Sequence, residues 1–112
     1  MRIAVPMAAG RLAMHFGHCE SFAVLDTDVE AKTILNTDEL DAPPHQPGLL
    51  PKWLADQGVE MVIAGGMGQR ALQLFAQHGI QVVVGARSLP PKDIVEAYMA
   101  GTLSAGDNVC DH

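Results

Sequence analysis

The stretch from Met61 to Val84 constrains the fold more than any other. Met61-Val62-Ile63-Ala64 is a short apolar run, and Gly65-Gly66-Met67-Gly68 follows it at once. Ala71, Leu72, Phe75 and Ala76 then recur at helical spacing, Gly79 closes that segment, and Ile80 to Val84 is short and rich in β-branched residues. Apolar runs of four or five residues bounded by glycine read as buried strands, and spacings of three and four read as one face of a helix. Strand, helix and strand in this succession predict a parallel pair joined by a right-handed crossover. Parallel strands are covered on both faces, so the remaining segments have to supply that cover.

Those segments fit the demand. Arg2 to Val5 reads as a further buried strand, after which Pro6 opens a Met/Ala/Gly loop that runs through Arg11 to His15. Ser21 to Leu25 alternates, Asp26-Thr27-Asp28 supplies turn chemistry, and Val29 to Leu35 is half polar, which together predict an antiparallel hairpin. Prolines at 43, 44 and 47 make residues 41–48 a loop. Pro51 suits the first turn of a helix to Gln57, with Leu50, Trp53 and Leu54 on one face and Gly58 at its end. Ser88 and two prolines start a last helix whose core face is Ile94, Val95, Tyr98 and Met99, stopped by Gly101. The expected object is an α/β domain over residues 1–101 with a mixed sheet of about five strands, an antiparallel hairpin and flanking helices. Residues 102–112 lack periodicity and read as a flexible tail.

A chain of 112 residues has room for one core, and 48% hydrophobic against 18% charged residues is a globular balance. Its formal charge of −6, with seven basic residues, is the wrong sign for neutralising phosphates, so nucleic acid and anionic membrane are poor partners. No run of roughly 18 apolar residues is present to span a bilayer, and the apolar part of the amino end is short for a secretory signal. A cytoplasmic location follows. There, Cys19 and Cys110 are expected to be free or metal-bound thiols rather than a disulfide.

Ligands of such sheets gather at the carboxyl ends of the parallel strands. That rim would hold the loop after Val5, the Gly65–Gly68 turn and the segment after Val84. His15, His18 and Cys19 crowd the first loop. Imidazole and thiolate suit iron, copper, zinc and sulfide clusters, whereas hard ions want carboxylates. The same span is also consistent with Phe16 plugging the core while its polar neighbours cap backbone.

Cys110 and His112 add a second thiol and imidazole on the tail, either as donors that fold back over a cofactor or as a frayed end. His45 is a further candidate donor or a solvated loop residue, and His78, ahead of Gly79, suits a helix carboxyl end. Met7, Met14 and Met67 offer thioethers, although methionine near a pocket is commonly gap filler. The glycine turn lets backbone amides approach an anion at a helix start, or it serves only tight packing. It lacks the Lys-Ser or Lys-Thr of a phosphate loop and the spacing of a dinucleotide fingerprint. An anionic metal-sulfide cluster would satisfy these amides, with Arg70 or Arg87 as countercharge. No nucleophile or acid-base set stands out.

Three runs carry a resemblance: His15-Phe16-Gly17-His18-Cys19-Glu20-Ser21-Phe22, Val62-Ile63-Ala64-Gly65-Gly66-Met67-Gly68-Gln69-Arg70-Ala71, and Glu96-Ala97-Tyr98-Met99-Ala100-Gly101. In this order, over nearly the whole chain, they resemble the nitrogenase iron-molybdenum cofactor biosynthesis family, the NifX-like cofactor carriers. The resemblance implies a ribonuclease H-like fold with a mixed five-stranded sheet. It also implies binding of an iron-sulfur, iron-molybdenum-sulfur or molybdenum-copper-sulfur cluster, with partners that assemble or receive it. The family's cofactor-linked His-Phe-Gly falls on His15, Phe16 and Gly17, and its Gly-Gly-Met-Gly turn on Gly65 to Gly68.

Ribonuclease chemistry is not expected, because the strands Ile3-Ala4-Val5, Met61–Ala64 and Gln81–Val84 hold no carboxylate to bind a metal pair. The resulting expectation is a non-enzymatic cluster carrier. Its metal donors would be drawn from His15, His18, Cys19, His45, Cys110 and His112, with cofactor contacts from Gly65, Gly66, Met67, Gly68 and Arg70. A docking or regulatory module for a larger metalloprotein is the alternative, and an enzyme acting on a phosphorylated small molecule is a third reading.

Overall fold

The computed structural model describes residues 1–43 and 48–103, with His18 described by its backbone. The elements run β1 (Arg2–Ala8), β2 (Arg11–Leu12), a 3-10 turn (Phe16–His18), β3 (Ser21–Asp28), β4 (Thr33–Asp41), α1 (Leu49–Asp56), β5 (Met61–Ile63), α2 (Gln69–Gln77), β6 (Gln81–Val83) and α3 (Pro91–Ala100). One mixed sheet has the order β4-β3-β1-β5-β6, with β2 paired to β1 off that path. The β1–β5 and β5–β6 pairs are parallel, and the β1–β3 and β3–β4 pairs antiparallel.

Period-two alternation sorts the core into two layers. Ala4, Phe22, Val24, Val62 and Ala64 face α1 and α2, meeting Leu50, Leu54 and Phe75. Ile3, Val5, Met7, Ala23, Leu25, Met61 and Ile63 face α3, meeting Ile94, Val95 and Met99. The parallel centre is thus covered on both sides, as the succession around Gly65 requires. Gly101, at φ 74°, ends α3 in the left-handed conformation, and the amides of Thr102 and Leu103 donate to the Ala97 carbonyl.

The sheet has six strands rather than five. Pro6 does not end β1; the strand continues to Ala8 and turns through Ala9 (φ 55°) and Gly10 (φ 81°) into β2. Two successive positive φ values make the tight hairpin turn whose twist matches its strands. Across the sheet, β1 uses one edge for β3, and the other for β5 at Ile3 and Ala4 and for β2 at Met7 and Ala8.

The β3–β4 turn also falls later than expected. Asp26 and Thr27 are held inside the strand, because Asp26 pairs with Arg2 (Nε–Oδ1 2.7 Å) and the buried Thr27 hydroxyl donates to the Met1 carbonyl at 2.8 Å. The chain reverses after Asp28, whose Oδ1 accepts the Ala31 amide, and β4 spans Thr33–Asp41 instead of Val29–Leu35.

Candidate cofactor-binding rim

Three loops leave the sheet at the carboxyl ends of β1, β5 and β6, and main-chain bonds lace them together. The Phe16 amide donates to the Gly66 carbonyl at 3.0 Å, joining the His15 loop to the glycine turn. The Gly85 amide donates to Gly65 O at 2.8 Å, so the segment after β6 is tied to the same turn. The Leu12 amide donates to Leu89 O at 2.9 Å, and the Ser88 hydroxyl returns a bond to Leu12 O at 2.8 Å. The first and third loops are therefore fastened to each other through β2.

Local sequence explains why the loops approach so closely. A Cβ built on Gly65 would stand 3.0 Å from Met14 O and 3.1 Å from Met14 Cα, so only glycine lets the two backbones pass. Below the contact, Phe16 is buried with its ring edge-on to Phe75 at 5.5 Å and 6.0 Å from Phe22. Phe22 in turn meets Trp53 of α1 at 5.7 Å. These rings anchor the short turn that presents His15 and Gly17 to solvent, both of them exposed.

The expected site residues separate by environment. His15 is exposed and sits at the start of the 3-10 turn, where it makes a contact of its own. Gly65, Gly66 and Met67 are buried at the root of the second loop, while Gly68 and Arg70 are exposed at the start of α2. The first amides of a helix have no intrahelical acceptor and carry partial positive charge, so that end of α2 favours an anion. Arg11, beside the β1–β2 turn, and Arg87, after β6, are exposed on the same rim.

Cys19 is placed differently from His15. It is only 4% exposed and packs with Phe16 and Phe22, and burial pushes its thiol up to about 11. It is a protonated core side chain at neutral pH. Among the described residues no group of three or more His, Cys, Asp or Glu side chains is assembled to hold a metal ion. The His18 side chain, His45, Cys110 and His112 lie outside the described residues. His78 is exposed at the carboxyl end of α2, and no helix among the described residues is long and apolar enough to cross a membrane.

Sequence reasoning missed one contributor to the rim and set a second aside. Glu20 closes the base of the His15 loop: its amide donates to Met7 O at 2.8 Å and its Oε1 accepts the Ala9 amide at 3.1 Å. Met14, one of the three methionines offered above as thioether donors, is 41% exposed beside His15, so it is not the core gap filler that methionine commonly is.

Known proteins share this architecture. The sequence pattern of the family described as "Dinitrogenase iron-molybdenum cofactor" matches residues 1–101. The crystal structure of PH0822 superposes with a TM-score of 0.86 at 29% identity, covering 94% of each chain. The apo form of the orange protein from Desulfovibrio gigas gives 0.72 at 24% identity, covering 96% of this chain and 93% of that one. An uncharacterized protein of Methanocaldococcus jannaschii is 26% identical over 106 residues, covering 92% of this chain and 89% of its own. With nine-tenths of its length inside the family's pattern, the chain belongs to the dinitrogenase iron-molybdenum cofactor family.

Proposed function

We propose that this protein binds and carries an anionic metal-sulfur cluster, or a precursor of one, and passes it to a recipient metalloprotein. The observation that carries the reading is the Phe16–Gly66 bond, which sets the histidine-bearing loop beside the glycine turn at one rim of the sheet. Imidazoles of His15 and His18 meet the metals; the amides from Gly65 to Gly68 and the first turn of α2 face the sulfides; Arg70 supplies countercharge. Met67 sets the turn's shape from its buried position.

Cys19 joins as a ligand only if metal displaces its proton and the loop shifts outward, since metal binding and deprotonation are coupled. His45, Cys110 and His112 are supporting donors in this reading, with residues 102–112 as a tail beyond the 1–101 domain. Iron-sulfur, iron-molybdenum-sulfur and molybdenum-copper-sulfur clusters all suit such a donor set.

In this reading the role is non-catalytic, and the amides, imidazole and guanidinium at the carboxyl ends of β1, β5 and β6 serve to hold a ligand. Such a carrier would work in the cytoplasm. The strand order supports a ribonuclease H-like assignment in which β2 is an addition to five core strands.

Anaerobic reconstitution with iron, sulfide, molybdate and copper, read by metal analysis and visible absorption, tests the proposal. A chromophore that stays with the protein through gel filtration, and is lost on joint substitution of His15 and His18, is expected. Wild-type protein that emerges colourless and metal-free would overturn it.

A further inference from the structure

β4 is the outer strand of the sheet, and its free edge is the longest open main-chain edge among the described residues. Alternate residues of an edge strand aim their amides and carbonyls away from the sheet, which is a template for a further strand. Among the described residues no further strand pairs with it. Seven of the nine residues from Thr33 to Asp41 are exposed, and only Ile34 and Leu40 are tucked partly against the core.

Charge marks what the edge is suited to receive. Between Glu20 and Asp41 the chain carries seven acidic residues and one lysine, which accounts for the whole formal charge of −6. The rest of the molecule is balanced. On β4 itself Asp38, Glu39 and Asp41 occupy the half nearest the rim, and no ion pair within 4.0 Å is seen for them among the described residues. The other half carries an apolar feature: the pairing with β3 shifts between Asp26 and Thr27, leaving Leu35 as the extra residue, 68% exposed.

We infer that β4 is a docking strand for an extended basic segment of a partner protein, which adds to the sheet by main-chain pairing, its lysines or arginines against Asp38, Glu39 and Asp41 and an apolar side chain against Leu35. Asp41 pairs with Ser21, two residues beyond Cys19, and the Ala42 amide donates to Glu20 O. A strand docked on β4 would therefore end beside the His15 loop. The inference stands independently of what that loop holds.

The test is an amide chemical-shift titration of the labelled full chain with ten-residue peptides, lysine alternating with valine, threonine or tyrosine. Each peptide is paired with a copy N-methylated at every residue, which keeps the charge but leaves no amide on either edge to pair with a strand. Shifts and slowed hydrogen exchange confined to residues 33–41, lost with the methylated copies, are expected. D38N/E39Q/D41N should weaken binding at least tenfold while its melting profile stays that of the parent. Equal response to both peptide forms, shifts centred on the helices, no response at millimolar peptide, or a self-paired β4 dimer that peptide does not displace would each overturn it.

Discussion

The carbonyl oxygen of Met14 lies 3.0 Å from the position a Cβ would take on Gly65, so the missing side chain is what lets the histidine loop sit against the glycine turn. Both atoms that a Cβ would press on in Met14 belong to the backbone, and Leu12 Cδ2 lies 3.2 Å from the same position. The loop cannot yield by rotating a side chain. Gly65→Ala is expected to destabilise the protein by about 1–3 kcal/mol, as overpacked sites do. Thermal melting measures the cost, and amide shifts should move at Met14, His15 and Phe16 while the far end of the sheet stays put.

Phe16 separates anchoring from ligation. Phe16→Ala removes a buried ring that touches Phe22 and Phe75 and should cost about 3–5 kcal/mol in urea unfolding. His15→Ala, at an exposed position, should change stability by less than about 0.5 kcal/mol. A cluster lost equally in both variants, with only the first destabilised, is the expected pattern.

The buried thiol of Cys19 makes stability fall in alkali. Its pKa is raised from 9.0 to about 11 because burial disfavours the thiolate. The unfolded chain therefore loses this proton first: the contribution is intact below about pH 9 and disappears as pH rises towards 11. About 2–3 kcal/mol is at stake for a shift of this size. Cys19→Ala should flatten that part of the stability–pH curve, and peptide mapping after iodoacetamide at pH 8 should find Cys19 unmodified in folded protein.

At the opposite rim the sign is reversed. Arg2, bonded to Asp26 through Nε at 2.7 Å and Nη2 at 3.3 Å, holds that carboxyl below its usual range. Stabilisation from the pair is present above the ordinary carboxylate pKa and is lost as pH falls through the lowered one. Arg2→Ala should return the Asp26 titration, followed by carboxyl-carbon NMR, towards an ordinary value. The difference in stability between variant and parent should shrink in acid to the part contributed by the Arg2 Nη1 bond to the Gln57 carbonyl, which does not titrate with Asp26.

Much of this was legible in the residues, for physical reasons. β5, α2 and β6 lie within a few residues of where the apolar runs and glycines put them, because burial on both faces forces a continuous hydrophobic signal. β4 did not show as a strand through Asp41, because an exposed edge imposes no alternation on Asn36, Thr37, Asp38 and Glu39. β2 was hidden because Ala9 takes a positive φ that its side chain does not advertise. Cys19 looks like a donor beside two histidines; its neighbours Phe16 and Phe22 draw it into the core, and one-dimensional spacing does not reveal that.

The most direct measurement is amide chemical-shift mapping of the labelled protein before and after anaerobic loading with the cluster. Shifts and broadening should concentrate on His15 to His18 and Gly65 to Ala71, leaving Asp28 to Thr33 at the other rim unchanged. Perturbation centred on Asp28 to Thr33, with the glycine turn silent, would contradict the account.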